Sequence, residues 1–259
     1  IEQSINLVAA RVIDEVGIET VVDYAHRMGV KSELVPVYSL ALGSSDVTLL
    51  DMVTGFTTLS NYGTRVEPRV ITRVEDRYGN VLEEFPVQSE VVLERETCAV
   101  MINMMEGVLD RGTAALARRF GFKGPGAGKT GTTDRAADTW FIGFVPEGLV
   151  CGVWVGRDDH ESLGHTATGE TYAVPLWASF MAEALGDRST PKFDVPDTIV
   201  SAAICEESGL LATKKCTRVI TESFLRGTAP TKFCDMHEAP DWALRDTGSV
   251  GSPPPPEPH

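Results

Sequence analysis

A chain of 259 residues with 42% hydrophobic and 7% aromatic side chains has ample apolar mass for a buried core, as one large domain or a domain with an appendage. Its formal charge of −14 argues against nucleic acid as a partner, because phosphate binding needs concentrated Lys and Arg; the scattered acids read as a solvated surface. The most apolar stretch, WFIGFVPEGLVCGVWVG, is interrupted by Pro146 and Glu147, short of the ~20 residues a bilayer span requires. No signal-peptide pattern opens the chain.

From Ile5 to about Asp14, Leu7, Val8, Val12 and Ile13 recur with helical period, and Gly17 breaks the run. A second helix is expected from about Glu19 to Arg27, ending at the Met28-Gly29 cap signal. DVTLLDMVTGFTTLSNYGT repeats the pattern and stops at Gly63. RVITRVEDRYGNVLEEF holds two β-rich runs joined at Tyr78-Gly79-Asn80, a hairpin signature. Helix returns from about Arg95 to Leu109, with its methionines read as core filler. DTWFIGFV, a turn at Pro146-Glu147-Gly148, and LVCGVWVGRDD form an antiparallel pair, and VPLWASFMAEAL is a closing helix.

Beyond Gly186 the composition shifts toward Pro, Thr and Ser with short strand-like pieces, and GSPPPPEPH is a polyproline-like tail. The expected organisation is therefore a domain over 1–186, a small β-rich extension over 187–247 with a cysteine cluster, and a tail over 248–259. The order of elements predicts an α+β fold with an antiparallel sheet flanked by helices.

Five cysteines is an odd count. Cys98 and Cys151 fall in apolar periodic segments and read as free buried thiols. Cys205, Cys216 and Cys234 cluster in turn-rich sequence, where one disulfide among the three is expected in an oxidising compartment.

The stretch GFKGPGAGKTGTTD raises a choice of ligands. A phosphate loop needs G-x-x-x-x-G-K-[ST], yet the position six before Lys129 is Lys123, so the loop is one residue short. The stretch also leads into a hairpin, which predicts a strand rather than the strand-to-helix turn a phosphate loop must open. On a strand, Thr130 and Thr132 face one side and Lys129 leaves by the other. Two hydroxyls and an ammonium in four residues suit a carboxylate, and Gly131 leaves room for an extended ligand. An unpaired Thr132 N–H would also hold a developing oxyanion.

K-T-G at Lys129–Gly131 belongs to a three-part set, S-x-x-K, S-x-N and K-T-G. Ser4-Ile5-Asn6 supplies an S-x-N at a helix start, although Ser4 also suits an N-cap. The region between the two motifs, from SLALGSSDVTLLDMVTGF onward, resembles class A penicillin-binding proteins. KTGTTDRAADTWFIGFVPEGLVCGVWVGRDD resembles their K-T-G strand and hairpin, AVPLWASFM their closing helix, and GLLATKKC with FLRGTAPTKFC the segment after it. The likeness runs from Ser4 to about His237.

That resemblance implies a serine β-lactamase-like transpeptidase fold, incomplete at the N-terminus, and acyl transfer at D-alanyl-D-alanine. Its partners would be peptidoglycan stem peptides and β-lactam antibiotics, with no cofactor and no metal. It implies a place at the extracytoplasmic (periplasmic) face of a bacterial inner membrane, with membrane contact only through an N-terminal anchor, and a partner in the upstream part of its own chain. Residue by residue, it implies that Ser4 relays a proton to the leaving amine and Asn6 hydrogen-bonds the substrate amide. Lys129 would keep the Ser4 hydroxyl polarised. Thr130 and Thr132 on either side of Gly131 would grip the terminal carboxylate, and the Thr132 N–H would form half of the oxyanion hole. It also favours Cys216 with Cys234 as the disulfide, because both sit in the family-like segment.

The nucleophile is missing. S-x-x-K should precede S-x-N, and only three residues do so here. Ser189-Thr190-Pro191-Lys192 has the pattern but stands after K-T-G in a proline-containing connector, and reads as chance. The chain is therefore expected to be a C-terminal portion of a transpeptidase domain that does not acylate by itself. Two alternatives stand beside it: a serine β-lactamase or D,D-carboxypeptidase, and a non-catalytic module that binds stem peptides or partners.

GRDDHESLGH crowds Asp158, Asp159, His160, Glu161 and His165, but the spacing is not H-E-x-x-H and a solvated turn is the expected reading. Trp140, Phe141, Phe144 and Trp154 are read as packing, and Arg111-Gly112-Thr113 as a tight connector without catalytic role.

Overall fold

The computed structural model describes residues 1–146 and 148–237. They fall into two compact units, divided between Asp197 and Thr198. The tail over 248–259, residues 238–247 and Glu147 of the expected hairpin turn lie outside the described residues.

The first unit runs α1 (Asn6–Val16), α2 (Ile18–Arg27), α3 (Leu49–Ser60), β1 (Thr64–Val66), β2 (Arg73–Glu75), β3 (Val81–Glu84), β4 (Ser89–Val91), α4 (Arg95–Asp110), β5 (Ala127–Thr132), β6 (Asp138–Phe144), β7 (Val150–Gly156) and α5 (Val174–Leu185). This is the expected α+β class. All strand pairs are antiparallel: β1 with β4, β2 with β3, and a central sheet in the order β5-β6-β7. The β1–β4 pair is not visible in the sequence pattern, because three-residue strands are too short to set a period.

The central sheet is covered on both faces. Phe141 and Phe144, three positions apart on β6, point to opposite sides, as strand alternation requires. On one side Phe141 meets Trp177 of α5 edge-on with centroids 4.9 Å apart, among Val108, Leu109, Phe122 and Met181. On the other, Phe144 packs edge-on against Phe56 of α3 and against Phe193, beside Ile102 and Met105 of α4. The connector after α5 thus returns Phe193 to the first unit's core.

Each helix can be traced to its residues. Thr48 caps α3 by accepting the Asp51 N–H at 3.1 Å, satisfying a donor that the helix start leaves free. Along α4, Cys98, Ala99, Ile102, Met105, Val108 and Leu109 recur on one buried stripe. Pro175 lies in the first turn of α5, where the α-helix takes over from a π-helical turn over Gly169–Ala173. The apolar side chains of α1 behave differently: Ile5, Leu7, Val8 and Val12 are each more than half exposed, and only Ile13 is buried.

In the second unit, β8 (Ile199–Cys205) and β9 (Val219–Leu225) form an antiparallel pair registered Ile199 to Leu225 through Cys205 to Val219. Leu211 bridges to Ile204 on one side and Phe233 on the other. The Cys216–Cys234 disulfide expected from the sequence is corrected here. Cys205, Cys216 and Cys234 are all free thiols, and they converge with an imidazole on one point rather than pairing off.

Candidate active site

The stretch from Ile1 to Asn6 is seated on the C-terminal end of α4. Glu2 forms a forked ion pair with Arg111, including a 3.0 Å Nε–Oε2 bond, and its carbonyl accepts the Thr113 N–H at 3.1 Å. The seat is shaped by glycine. A Cβ on Gly107 would lie 1.9 Å from the Glu2 carboxylate, and one on Gly112 would lie 2.6 Å from the Glu2 carbonyl. Arg111-Gly112-Thr113 is therefore more than a connector, because it fixes the segment that carries Ser4.

Ser4 is exposed and sits at φ +48°, a left-handed conformation that costs a non-glycine residue roughly 1–2 kcal/mol. It does not cap α1. The residue before the helix is Ile5, with no side-chain cap bond, and Asn6 is the first helical residue, also exposed. The Ser4 hydroxyl is instead free to meet Lys129, whose Nζ donates to its Oγ across 125 positions of sequence.

Lys129 lies on β5, as the sequence predicts, not at a helix mouth. Pairing fixes which way each β5 group points. The Thr133 N–H donates to the Asp138 carbonyl at 3.1 Å, which makes that pair a hydrogen-bonded one. In the register Gly131 to Trp140 and Lys129 to Ile142, alternation then turns the main-chain groups of Thr130 and Thr132 away from β6, toward the edge of β5 that no described strand covers. The Thr130 carbonyl on that edge accepts the Lys129 ammonium at 2.9 Å. The Thr132 N–H faces the same edge.

Side chains alternate as expected. Thr130 and Thr132 share the sheet face of their cross-strand partners Phe141 and Thr139, and Lys129 takes the face of Ile142. Thr130 Oγ1 lies 2.8 Å from Thr113 Oγ1. Thr132 Oγ1 accepts the Gly169 N–H at 2.9 Å, which leaves the Thr132 hydroxyl proton available to a ligand. Gly169 must be glycine to come so close: a Cβ there would stand 2.6 Å from the Trp140 carbonyl and 2.8 Å from that of Gly131. Gly131 itself leaves the strand low, with Trp140 3.0 Å from where its Cβ would be.

Electrostatically the site holds a partly buried cation. Burial pushes the Lys129 ammonium below the ordinary lysine value, since desolvation penalises the charged form. The arrangement thus offers a hydroxyl held by an amine that gives up its proton more readily than usual, beside two threonines and an N–H on an open strand edge. Such a set can bind a carboxylate, place an oxyanion and pass a proton along Ser4 and Lys129. Sequence reasoning missed Thr113, Arg111 with Glu2, and Gly169. Their only signal was the glycine at each close approach.

The Asp158–His165 stretch is an exposed turn in which Asp159 is held by Arg157 at 2.6 Å. Ser189 and Lys192, the residues of the other S-x-x-K, stand outside the Ser4–Lys129 cluster, in the connector after α5.

The family described as the penicillin binding protein transpeptidase domain matches residues 1–181, and the penicillin-binding protein 1A C-terminal domain matches residues 195–239. Penicillin-binding protein 1A of Aquifex aeolicus is 36% identical over 231 residues, covering 89% of this chain and 31% of that protein. Penicillin-binding protein 1A of Vibrio cholerae is 32% identical, covering 91% of this chain and 34% of its own length. The crystal structure of penicillin-binding protein 1A from Haemophilus influenzae superimposes with a TM-score of 0.81 at 26% identity, covering 90% of this chain and 40% of that one. The chain therefore spans about a third of the length of the curated relatives it matches.

Proposed function

We propose, from the premise that this chain belongs to the penicillin-binding protein transpeptidase family, that it is the part of a peptidoglycan synthase that binds and aligns a stem peptide for D,D-transpeptidation. The donor peptide would lie along the open edge of β5. Its terminal carboxylate would take hydrogen bonds from the Thr130 and Thr132 hydroxyls, with Gly131 between them admitting the chain. The carbonyl oxygen under attack would rest on the Thr132 N–H, and Asn6 would hold the substrate amide.

The reaction splits the bond between two D-alanines. A serine oxygen bonds to the penultimate carbonyl carbon, the C–N bond breaks, and the leaving amine takes a proton delivered through Ser4, which Lys129 keeps polarised. An amine of a neighbouring stem peptide then displaces the serine. That serine would come from an S-x-x-K upstream of Ser4, in the parent protein. β-Lactams would follow the same path and stop at the acyl-enzyme. The parent would work at the extracytoplasmic face of a bacterial inner membrane.

The observation that carries this reading is the Lys129–Ser4 contact beside the edge of β5 that no described strand covers, flanked by Thr130 and Thr132. Intact-mass measurement after incubation with a penicillin tests it. The 259-residue chain should remain unmodified, and the parent protein should gain a single adduct. An adduct on the short chain would place the nucleophile among its own residues and overturn the assignment. Product analysis of the parent enzyme separates transfer from hydrolysis: cross-linked peptides are expected, and free carboxypeptidase product alone would favour the β-lactamase-like alternative.

A further inference from the structure

Four side chains in the second unit share one small volume. The ligating atoms of Cys205, Cys216, Cys234 and His237 all lie within 4.8 Å of one another. His237 Nδ1 stands 3.1 Å from the Cys234 sulfur and 3.6 Å from that of Cys205. A tetrahedral zinc with Zn–S near ~2.3 Å and Zn–N near ~2.0 Å sets sulfur–nitrogen edges at roughly 3.5 Å and sulfur–sulfur edges at roughly 3.8 Å. The observed spacing surrounds those values. We propose that these four residues form a structural Zn²⁺ site.

The backbone holds each cysteine in a tied segment. Cys205 ends β8, with its N–H on the Leu210 carbonyl at 2.9 Å and its carbonyl taking the Gly209 N–H at 2.9 Å, a turn that Gly209 completes at φ +69°. Cys216 closes a turn from Thr213 with a 3.1 Å bond. The Cys234 N–H donates to Leu211 at 2.8 Å, and Ala212 donates to Ala203 at 2.9 Å, so the three cysteine segments are stitched to one another before any metal enters.

The groups around the four side chains support the same reading. The Thr213 N–H points at the Cys216 sulfur at 3.2 Å, a donor suited to a thiolate. His237 turns Nδ1 to the sulfurs and Nε2 toward the Glu207 carboxylate at 3.8 Å. A ligating imidazole commonly presents its other nitrogen to a carboxylate in this way, which fixes the tautomer and the ring. A disulfide accounts for less. It would use two sulfurs and strand the third with the imidazole, whereas a metal engages all four. Three thiolates and one imidazole are a soft tetrahedral set that selects zinc, and with no position left open the site is structural rather than catalytic.

The unit has a physical need for such a staple. Its only named strands are one antiparallel pair, and among its described residues the buried side chains are Ile204, Cys205, Cys234 and Thr213. A two-stranded hairpin with so little apolar burial is marginal in water. Zinc binding, with release of the thiol protons, would close it.

The test uses the full 259-residue chain purified without chelator. Elemental analysis and native mass spectrometry should find a single zinc per chain, and the three thiols should react with a thiol reagent only after denaturation in chelator. Cobalt replacement should give the intense thiolate-to-metal absorption of a tetrahedral site. His237→Ala should lose the metal; His237→Cys, which keeps four ligands, should retain it, so a folding failure of the first variant cannot mimic the result. A chain that carries a disulfide and no stoichiometric metal would overturn the proposal. So would zinc held equally well when all three cysteines are serine.

Discussion

The two polar clusters of this chain gather their residues in contrasting ways. In the first unit Ser4 and Lys129 meet from 125 positions apart, and the hydroxyls around them keep unused hydrogen-bonding capacity along an open strand edge. In the second, four side chains between Cys205 and His237 bring their ligating atoms within 4.8 Å of one another. An open cluster of donors leaves capacity for a ligand, whereas a closed one is engaged within itself. The open cluster also carries strain at Ser4 and a partly desolvated ammonium, costs that a purely structural cluster has no reason to bear.

The contrast breaks most visibly if the closed cluster is opened. Cys234→Ser, or chelation of the native chain, is expected to expose the segment from Thr198 onward to proteolysis, with a loss of protection of at least ~100-fold, since structural zinc contributes about 10 kcal/mol or more in small domains. Limited proteolysis followed by mass mapping reads this directly. Unchanged protection would mean that the cysteines are not what holds the unit.

Next in size is Lys129→Met in the parent enzyme. Acylation by a β-lactam should slow by about 10²–10⁴-fold, the range of a positioned proton-transfer group, while thermal unfolding does not move downward. A fluorescent penicillin gives the rate. A matching loss of stability would make the lysine structural instead.

The elements themselves were legible. α1 through α5, the β2–β3 hairpin and the β6–β7 pair follow from periodicity and glycine punctuation, because those signals are local. The alternation of Thr130, Lys129 and Thr132 is equally readable, because it follows from strand geometry at β5. Tertiary closeness was not: Thr113 on Thr130, Glu2 on Arg111 and the Gly169 N–H on Thr132 depend on how distant elements pack. The cysteine cluster is not legible from its thiols alone. Cys234-x-x-His237 held the missing signal, a fourth ligand at metal spacing.

Thr132→Val should weaken the open cluster more gently. It keeps shape and N–H but removes the hydroxyl from a carboxylate, a charged hydrogen bond of about 1.5–3 kcal/mol, so acylation efficiency should fall about 10- to 100-fold. Thr113→Val acts through Thr130 and should cost about fivefold, in line with a neutral bond of about 1 kcal/mol. An equal loss in both would mean that Thr132 does not touch the substrate.

The smallest effect is a pH dependence. Burial lowers the Lys129 value in the folded chain below the ordinary 10.5. Between that depressed value and 10.5 the unfolded chain binds more protons, so the lysine's contribution to stability rises with pH there and is flat at its least favourable below both. Urea midpoints of the native chain should therefore gain on those of Lys129→Met between neutral pH and pH 10, and a gap that widens the other way would reverse the sign.

The most direct measurement of the central claim is a double-mutant cycle on Ser4 and Lys129 in the parent enzyme, read as the rate of acylation by a penicillin. If the hydroxyl and the ammonium act as one relay at the β5 edge, Ser4→Ala and Lys129→Ala together should cost little more than the larger single loss. Losses that multiply would show two independent residues, and the account of this site would fail.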